Sequence, residues 1–115
     1  MDERVQQTID TMTAQLHRRV AMNELAAAVG LSVSQLARLF RRETGVTPGT
    51  YLHNLRLERA RILLAGTSIP VRDVMTQVGW SDRSHFARDF CRQFGSNPRT
   101  FRLQVNRAAA DKADP

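Results

Sequence analysis

Apolar residues recur at helical spacing along most of the chain. Near the N-terminus, Val5, Ile9, Met12 and Leu16 lie three or four positions apart, behind the acidic pair Asp2 and Glu3. Residues at this spacing share one face of an α-helix, and acidic side chains favour a helix N-terminus. No segment alternates apolar and polar residues as a half-buried strand does. The pattern therefore predicts an all-α fold of about seven helices.

The second half of the chain repeats the first. The sequence VGLS at 29–32 recurs as VGWS at 78–81, which is 49 positions further on. The sequence SQLARLFRR at 34–42 recurs as SHFARDFCR at 84–92, now 50 positions on. Self-similarity of this length indicates two copies of one structural unit. The change of offset predicts a one-residue insertion just after the Gly-x-Ser turn, where a surface connection tolerates it.

Each copy has the spacing of a helix-turn-helix. In the first copy a short apolar helix ends at Gly30, and Ser32 or Ser34 can cap a second helix from about Val33 to Thr44. In the second copy Gly79 ends the first helix, and the next begins at about Asp82. The apolar stripes of the second helices are Leu36, Leu39 and Phe40 in one copy and Phe86, Phe90 and Phe94 in the other. The opposite faces carry serine and arginine.

Between the copies, the sequence predicts one long helix from Pro48 to Ala65, with Gly66 beyond its end. We therefore expect four segments. They are an N-terminal helix with the first helix-turn-helix subdomain (1–47), a linker helix (48–66), a second helix-turn-helix subdomain with a C-terminal helix (67–107), and a disordered tail (108–115).

The charge balance points to an anionic partner. Of 115 residues, 17 are basic and 11 acidic, which gives a formal net charge of +6, and every basic residue except Lys112 is arginine. Arginine offers a planar fork of donors that matches phosphates and base edges better than the point charge of lysine. A chain of this length has no room for a cofactor-binding domain beside a substrate domain.

Several other classes of protein are disfavoured. One cysteine, Cys91, and the scattered histidines His17, His53 and His85 give neither a disulfide nor a zinc spacing, and they show no order of nucleophile, base and acid. We expect no enzyme activity, no catalytic residue, no metal and no cofactor. The N-terminus lacks the features of a signal peptide, and no apolar run approaches ~18 residues. A cytoplasmic, nucleoid-associated protein is therefore expected, with no membrane partner.

Three stretches together resemble the DNA-binding domain of the AraC/XylS family of bacterial transcription regulators. They are VGWSDRSHFARDF at 78–90, FGSNPRTFR at 94–102 and RLERARILL at 56–64. The resemblance covers almost the whole chain. It implies two helix-turn-helix subdomains joined by a rigid helix, with one recognition helix from each subdomain entering successive major grooves of DNA.

By position, the resemblance also implies which side chains contact DNA. The base-reading residues would be Ser34, Gln35, Ala37 and Arg38 in the first recognition helix and Arg83, Ser84, His85 and Arg88 in the second. The helical wheel independently favours Ser34, Arg38, Ser84 and Arg88, which lie opposite the apolar stripes. The expected phosphate contacts are Ser32, Arg41, Arg42, Ser81 and Arg92. Arginine pairs with guanine, and glutamine pairs with adenine.

Four positions depart from the family pattern. Trp80 and His85 replace the usual phenylalanine and tyrosine, and Met75 stands where a small alanine is common, so packing around the second turn is expected to differ. Cys91 replaces a usual lysine and corresponds to Arg41 of the first copy. We interpret Cys91 as a tolerated substitution rather than a redox switch, because no partner cysteine exists.

The predicted function is sequence-specific binding of double-stranded DNA by a transcription regulator. Recruitment of RNA polymerase as an activator follows from the resemblance alone, and a repressor using the same domain is an alternative. A helical protein-interaction module is the rival from another class, and salt-sensitive affinity for DNA separates the two. We expect this segment to be monomeric and to bind no small-molecule effector, whether it is a stand-alone regulator or the C-terminal part of a longer one.

Overall fold

The computed structural model describes residues 1–113, which form seven α-helices and contain no strand. The helices are α1 (Glu3–Ala14), α2 (Met22–Ala28), α3 (Val33–Thr44), α4 (Pro48–Gly66), α5 (Val71–Gln77), α6 (Arg83–Phe94) and α7 (Pro98–Ala113). The predicted all-α fold is therefore confirmed.

The chain divides into two compact units, and the boundary lies between Arg56 and Leu57, inside α4. The core of the first unit includes Val5, Met12, Leu25, Leu36, Phe40 and Leu52. The core of the second includes Leu57, Ala60, Leu64, Val74, Phe86 and Phe90. The expected linker segment 48–66 is thus one continuous helix whose two halves bury their apolar residues in different cores.

The tight turn has the same hydrogen-bonded form in both units. Gly30 and Gly79 have φ values of 73° and 76°, a left-handed conformation that glycine adopts without steric cost. The next residue closes the turn, because the Leu31 N–H donates to the Ala26 carbonyl at 2.9 Å and the Trp80 N–H donates to the Met75 carbonyl at 2.8 Å. This bond satisfies a carbonyl that the end of the helix leaves free.

The two recognition helices, α3 and α6, begin with different caps. The Ser32 hydroxyl accepts from the Gln35 N–H in a reciprocal capping box, whereas the Asp82 carboxylate accepts from the His85 N–H. The caps are 50 positions apart and the turn glycines 49, so the extra residue lies between Gly79 and Asp82. The insertion therefore precedes the cap, and Ser81 is not the structural counterpart of Ser32.

Equivalent aromatic pairs support the internal repeat. Phe40 and Tyr51 meet edge to face with ring centroids 5.2 Å apart, and Phe90 and Phe101, each 50 positions later, meet at 5.4 Å. Edge-to-face packing stabilises such pairs beyond the area that they bury. Both units therefore fix their recognition helix to the helix that follows it in the same way.

The C-terminal helix is longer than the sequence analysis expected. It continues to Ala113, beyond the predicted end near Arg107. Alanine has the highest helix propensity of any residue, and three alanines stand at 108–110. The segment 108–113 contains no glycine or proline that would end the helix. Residues 108–113 are therefore helical rather than disordered, and the part of that prediction that concerns 114 and 115 lies outside the described residues.

Candidate nucleic-acid interface

Each recognition helix buries one face and exposes the other. Helix α3 buries Leu36, Leu39 and Phe40, and α6 buries Phe86, Asp89 and Phe90. The predicted base-reading residues Ser34, Gln35, Arg38, Arg83, Ser84, His85 and Arg88 are exposed, and Ala37 is half-buried. The predicted phosphate contacts Ser32, Arg41, Arg42, Ser81 and Arg92 are exposed as well. Within each unit, the predicted residues thus share one polar surface.

Arg38 and Arg88 occupy equivalent places on the two exposed faces. Neither guanidinium makes a hydrogen bond or ion pair with any other residue in 1–113. Each is followed at the next position by a buried residue, Leu39 or Asp89, so the backbone beneath is anchored while the side chain is free to extend. A guanidinium that has no other hydrogen-bond partner and stands on a rigid helix can donate two hydrogen bonds to the edge of a base.

The capping box limits what Gln35 can do. Its Oε1 atom accepts from the Ser32 N–H at 2.9 Å, so the amide oxygen is already engaged. Bidentate recognition of adenine needs both the oxygen and the Nε2 donor of a glutamine. The capping box therefore holds the Gln35 side chain against the start of its own helix, and bidentate pairing with adenine would compete with that bond.

The second recognition helix carries a buried carboxylate that the first lacks. Asp89, at the position of Leu39 in α3, is 8% exposed. Its two oxygens lie 3.6 Å from Nε2 of His85 and 3.9 Å from Nη1 of Arg92. His85 is one of the base-reading residues that the family resemblance implies, and Arg92 is one of the expected phosphate contacts. The contact with Arg92 is too long for a hydrogen bond and the Arg92 side chain is 76% exposed, so Arg92 remains available to a phosphate.

A groove of about 470 Å³ runs beside α3 in the first unit. Its lining residues are Arg4, Leu31, Gln35, Arg38, Leu39 and Arg42. The guanidinium of Arg4 donates to the carboxylate of Asp2, from Nε at 3.3 Å and from Nη2 at 3.1 Å. These bonds lower the pKa of Asp2, and the charge of Arg42 adds a smaller effect in the same direction. Arg4 is thus neutralised locally, and Arg38 and Arg42 supply most of the positive field in the groove.

A second groove of about 470 Å³ lies in the second unit, among α5, α6 and α7. Four arginines line it, namely Arg72, Arg83, Arg99 and Arg102, together with Leu103 and Asn106. The Nε atom of Arg102 donates to the Leu64 carbonyl at 3.1 Å, and its Nη2 atom is buried with no hydrogen-bond partner among the described residues. No role for Arg72 or Arg99 could be predicted from the sequence, because no spacing along the chain relates them.

Val33, the first residue of α3, is an exposed residue for which the sequence predicts no contact with DNA. Its side chain is 46% exposed, although valine is an apolar residue. Val33 precedes Ala37 by four positions and therefore lies beside it on the helix surface. Its structural counterpart in α6, 50 positions on, is Arg83. An exposed methyl group at this place can contact the methyl group of thymine.

Other kinds of site find no support in the part of the chain that the structure describes. Residues 1–113 contain no group of three or more His, Cys, Asp or Glu side chains that could hold a metal ion. No helix among them is long and apolar enough to cross a membrane. Cys91 is exposed on α6, one position before Arg92.

Comparison with known proteins gives a consistent family. A model described as a helix-turn-helix domain matches residues 25–104. The HTH-type transcriptional activator RhaS of Klebsiella pneumoniae (strain 342) is 34% identical over 101 residues, which are 88% of this chain and 36% of that protein. The chain thus spans about a third of the length of the curated relatives it matches.

Solved structures agree with the sequence match. A transcriptional regulator of Chromobacterium violaceum, described as AraC-type DNA-binding domain-containing, superposes with a TM-score of 0.82 at 32% identity, over 89% of this chain and 91% of that one. The DNA-binding domain of AdpA, solved in complex with a target DNA, superposes with a TM-score of 0.87 at 24% identity, over 99% of this chain and 100% of that one. The second likeness concerns the fold alone.

Proposed function

The chain belongs to the AraC/XylS-type family of helix-turn-helix proteins, and on that premise we propose that it binds double-stranded DNA sequence-specifically and regulates transcription. The observation that carries the proposal is the pair of equivalent recognition helices, each exposing a polar face with a free arginine at its centre. An α-helix fits the major groove, where every base pair presents a distinct pattern of donors and acceptors. No chemical step is required of such a surface.

In the proposed mechanism, one group of exposed residues contacts base edges and another contacts the phosphate backbone. Base reading rests on Arg38 and Arg88, with Ser34 and Ser84 beside them; Gln35, Ala37, Arg83 and His85 flank this set. The backbone contacts are proposed for Ser32, Arg41, Arg42, Ser81 and Arg92. Phosphate contacts set the register of the protein on the duplex, and base contacts select the sequence.

We further propose that the protein is an activator that recruits RNA polymerase, acting in the cytoplasm on the nucleoid. The name of the RhaS relative, a transcriptional activator, supports this direction of regulation. The two recognition helices differ in sequence, so a monomer would contact an asymmetric site. No small-molecule effector is assigned to this segment.

Replacing the central arginines tests the base-reading assignment. We expect Arg38→Ala and Arg88→Ala each to cost ~1–3 kcal/mol of binding free energy on a site selected from random DNA, and to relax selectivity within their own half of the site. Arg42→Ala should weaken binding to selected and random DNA about equally. The affinities are measured by fluorescence anisotropy, with a thermal melt of each variant to verify folding.

The contrast between the variants decides the outcome. If Arg38→Ala and Arg88→Ala remain folded and keep the full preference for the selected site over random DNA, the assignment of base-reading residues is wrong. The proposal that the protein binds DNA would still stand in that case, because the phosphate contacts do not depend on which residues read the bases.

Val33 gives the first half of the site a separate test. Burying one methyl group contributes roughly 0.8 kcal/mol, so replacing the contacted thymine by deoxyuridine should weaken binding about fourfold. In Val33→Ala the same exchange should have almost no effect. Thymines of the selected site are replaced one at a time, and a protein indifferent to every replacement in the first half contradicts the contact.

A further inference from the structure

We propose that the four-arginine groove of the second unit binds the DNA backbone outside the recognition helix, where Arg72 and Arg99 each neutralise one phosphate. The inference deepens the proposed function and rests on it. The groove is lined by Arg72 from α5, Arg83 from α6, and Arg99 and Arg102 from α7. No carboxylate is among the lining residues.

Positive charge converges on this groove. Four arginine side chains line one groove of about 470 Å³, so an anion bound in it would be attracted by all four positive charges. Asp73 offsets Arg72 only in part, since the closest approach is 3.9 Å and both side chains are more than half exposed. Arg99 makes no hydrogen bond or ion pair within residues 1–113.

One of the four arginines, Arg102, is fixed in place. Arg102 is tied to the Leu64 carbonyl through Nε, and its Nη2 atom is buried, so packing holds the guanidinium in place. A guanidinium held by packing loses little conformational entropy when it meets a ligand. Planar donor forks match the oxygens of a phosphodiester.

The groove is also specific to the second unit. The positions that correspond to Arg72, Arg83, Arg99 and Arg102 in the first copy are Asn23, Val33, Gly49 and Leu52, none of which is charged. The feature therefore does not follow from the repeat. It supplies backbone contacts in the unit where Cys91 replaces the arginine found at position 41 of the first copy.

Continuity with α6 points to DNA rather than to an acidic protein as the occupant. Arg83 belongs both to the groove and to the exposed face of the recognition helix, next to Ser84. A duplex that lies against α6 would thus bring its backbone to the mouth of the groove.

The test compares Arg99→Ala with Arg107→Ala, which removes an exposed arginine of the same helix that does not line the groove. We expect Arg99→Ala to weaken binding to selected and random DNA alike, by about threefold to tenfold, and to reduce the slope of log affinity against log salt by ~0.9. Adding Arg72→Ala should double the loss of slope. Arg107→Ala should leave the slope nearly unchanged.

Three results would overturn the proposal. Equal slopes for Arg99→Ala, Arg107→Ala and the parent chain show that the groove holds no phosphate. Unchanged DNA binding with loss of transcription in a reconstituted assay assigns the groove to a protein partner instead. If the parent chain itself binds DNA without salt dependence, the proposed function fails, and the groove proposal fails with it.

Discussion

Raising the monovalent salt concentration from 50 to 200 mM should weaken DNA binding about 500-fold. The proposed phosphate ligands that carry a charge are Arg41, Arg42 and Arg92 on the recognition helices and Arg72 and Arg99 in the groove of the second unit. Each phosphate neutralised by an arginine releases condensed counterions and contributes ~0.9 to the slope, so five contacts give a slope of about −4.5. The measurement is a titration at several salt concentrations with the DNA sequence held fixed.

The size of the slope shows whether the groove of the second unit contributes phosphate contacts in addition to those of the recognition helices. The recognition helices alone predict a slope of about −2.7, which corresponds to a loss of about 40-fold over the same range. A slope between about −2.7 and −4.5 indicates that only one of the two groove arginines, Arg72 or Arg99, neutralises a phosphate. A slope near zero contradicts DNA binding altogether and favours a protein-interaction module held by apolar contacts.

Phe90→Ala should lower the free energy of unfolding of the second unit by ~3–5 kcal/mol. The ring of Phe90 is 0% exposed, and its centroid lies 5.8 Å from that of Phe86, 4.7 Å from that of Phe94 and 5.4 Å from that of Phe101. Truncation removes all three contacts and leaves a cavity beneath the recognition helix. Because whole domains are stable by only ~5–15 kcal/mol, the variant should lose DNA affinity through its second unit.

Chemical denaturation measures this loss directly. The control is Leu103→Ala, whose side chain is 61% exposed, and we expect it to change stability by less than ~0.5 kcal/mol. A loss below about 1 kcal/mol for Phe90→Ala would show that this ring does not organise the core of the second unit.

The helices and cores could be predicted from the sequence because they depend on short-range periodicity. Leu36, Leu39 and Phe40 form a stripe that only a helix brings together, and Gly30 marks a turn that needs a left-handed residue. Because the second half of the chain repeats the first, the same predictions apply to the second unit. The exposed faces followed, since they are what remains when the stripes are buried.

The features that could not be predicted depend on contacts between distant residues or on competing hydrogen bonds. Arg72 and Arg99 share a groove only because α5 and α7 pack within one unit. The amide of Gln35 has the donor and acceptor groups that base recognition uses, but its oxygen accepts a hydrogen bond in the cap of its own helix. The burial of Asp89 was not predicted, because a carboxylate is seldom buried, although it stands at the position of Leu39 on the apolar side of α6.

The most direct test of the central claim is the ratio of two affinities measured at the same physiological salt concentration. One is for a duplex selected by this chain from a random pool, and the other is for a scrambled duplex of equal length and composition. The account predicts binding to the selected duplex at least about 1,000-fold tighter, as is usual for regulators that read base edges. A ratio near one, with the protein folded, would contradict sequence-specific recognition by α3 and α6.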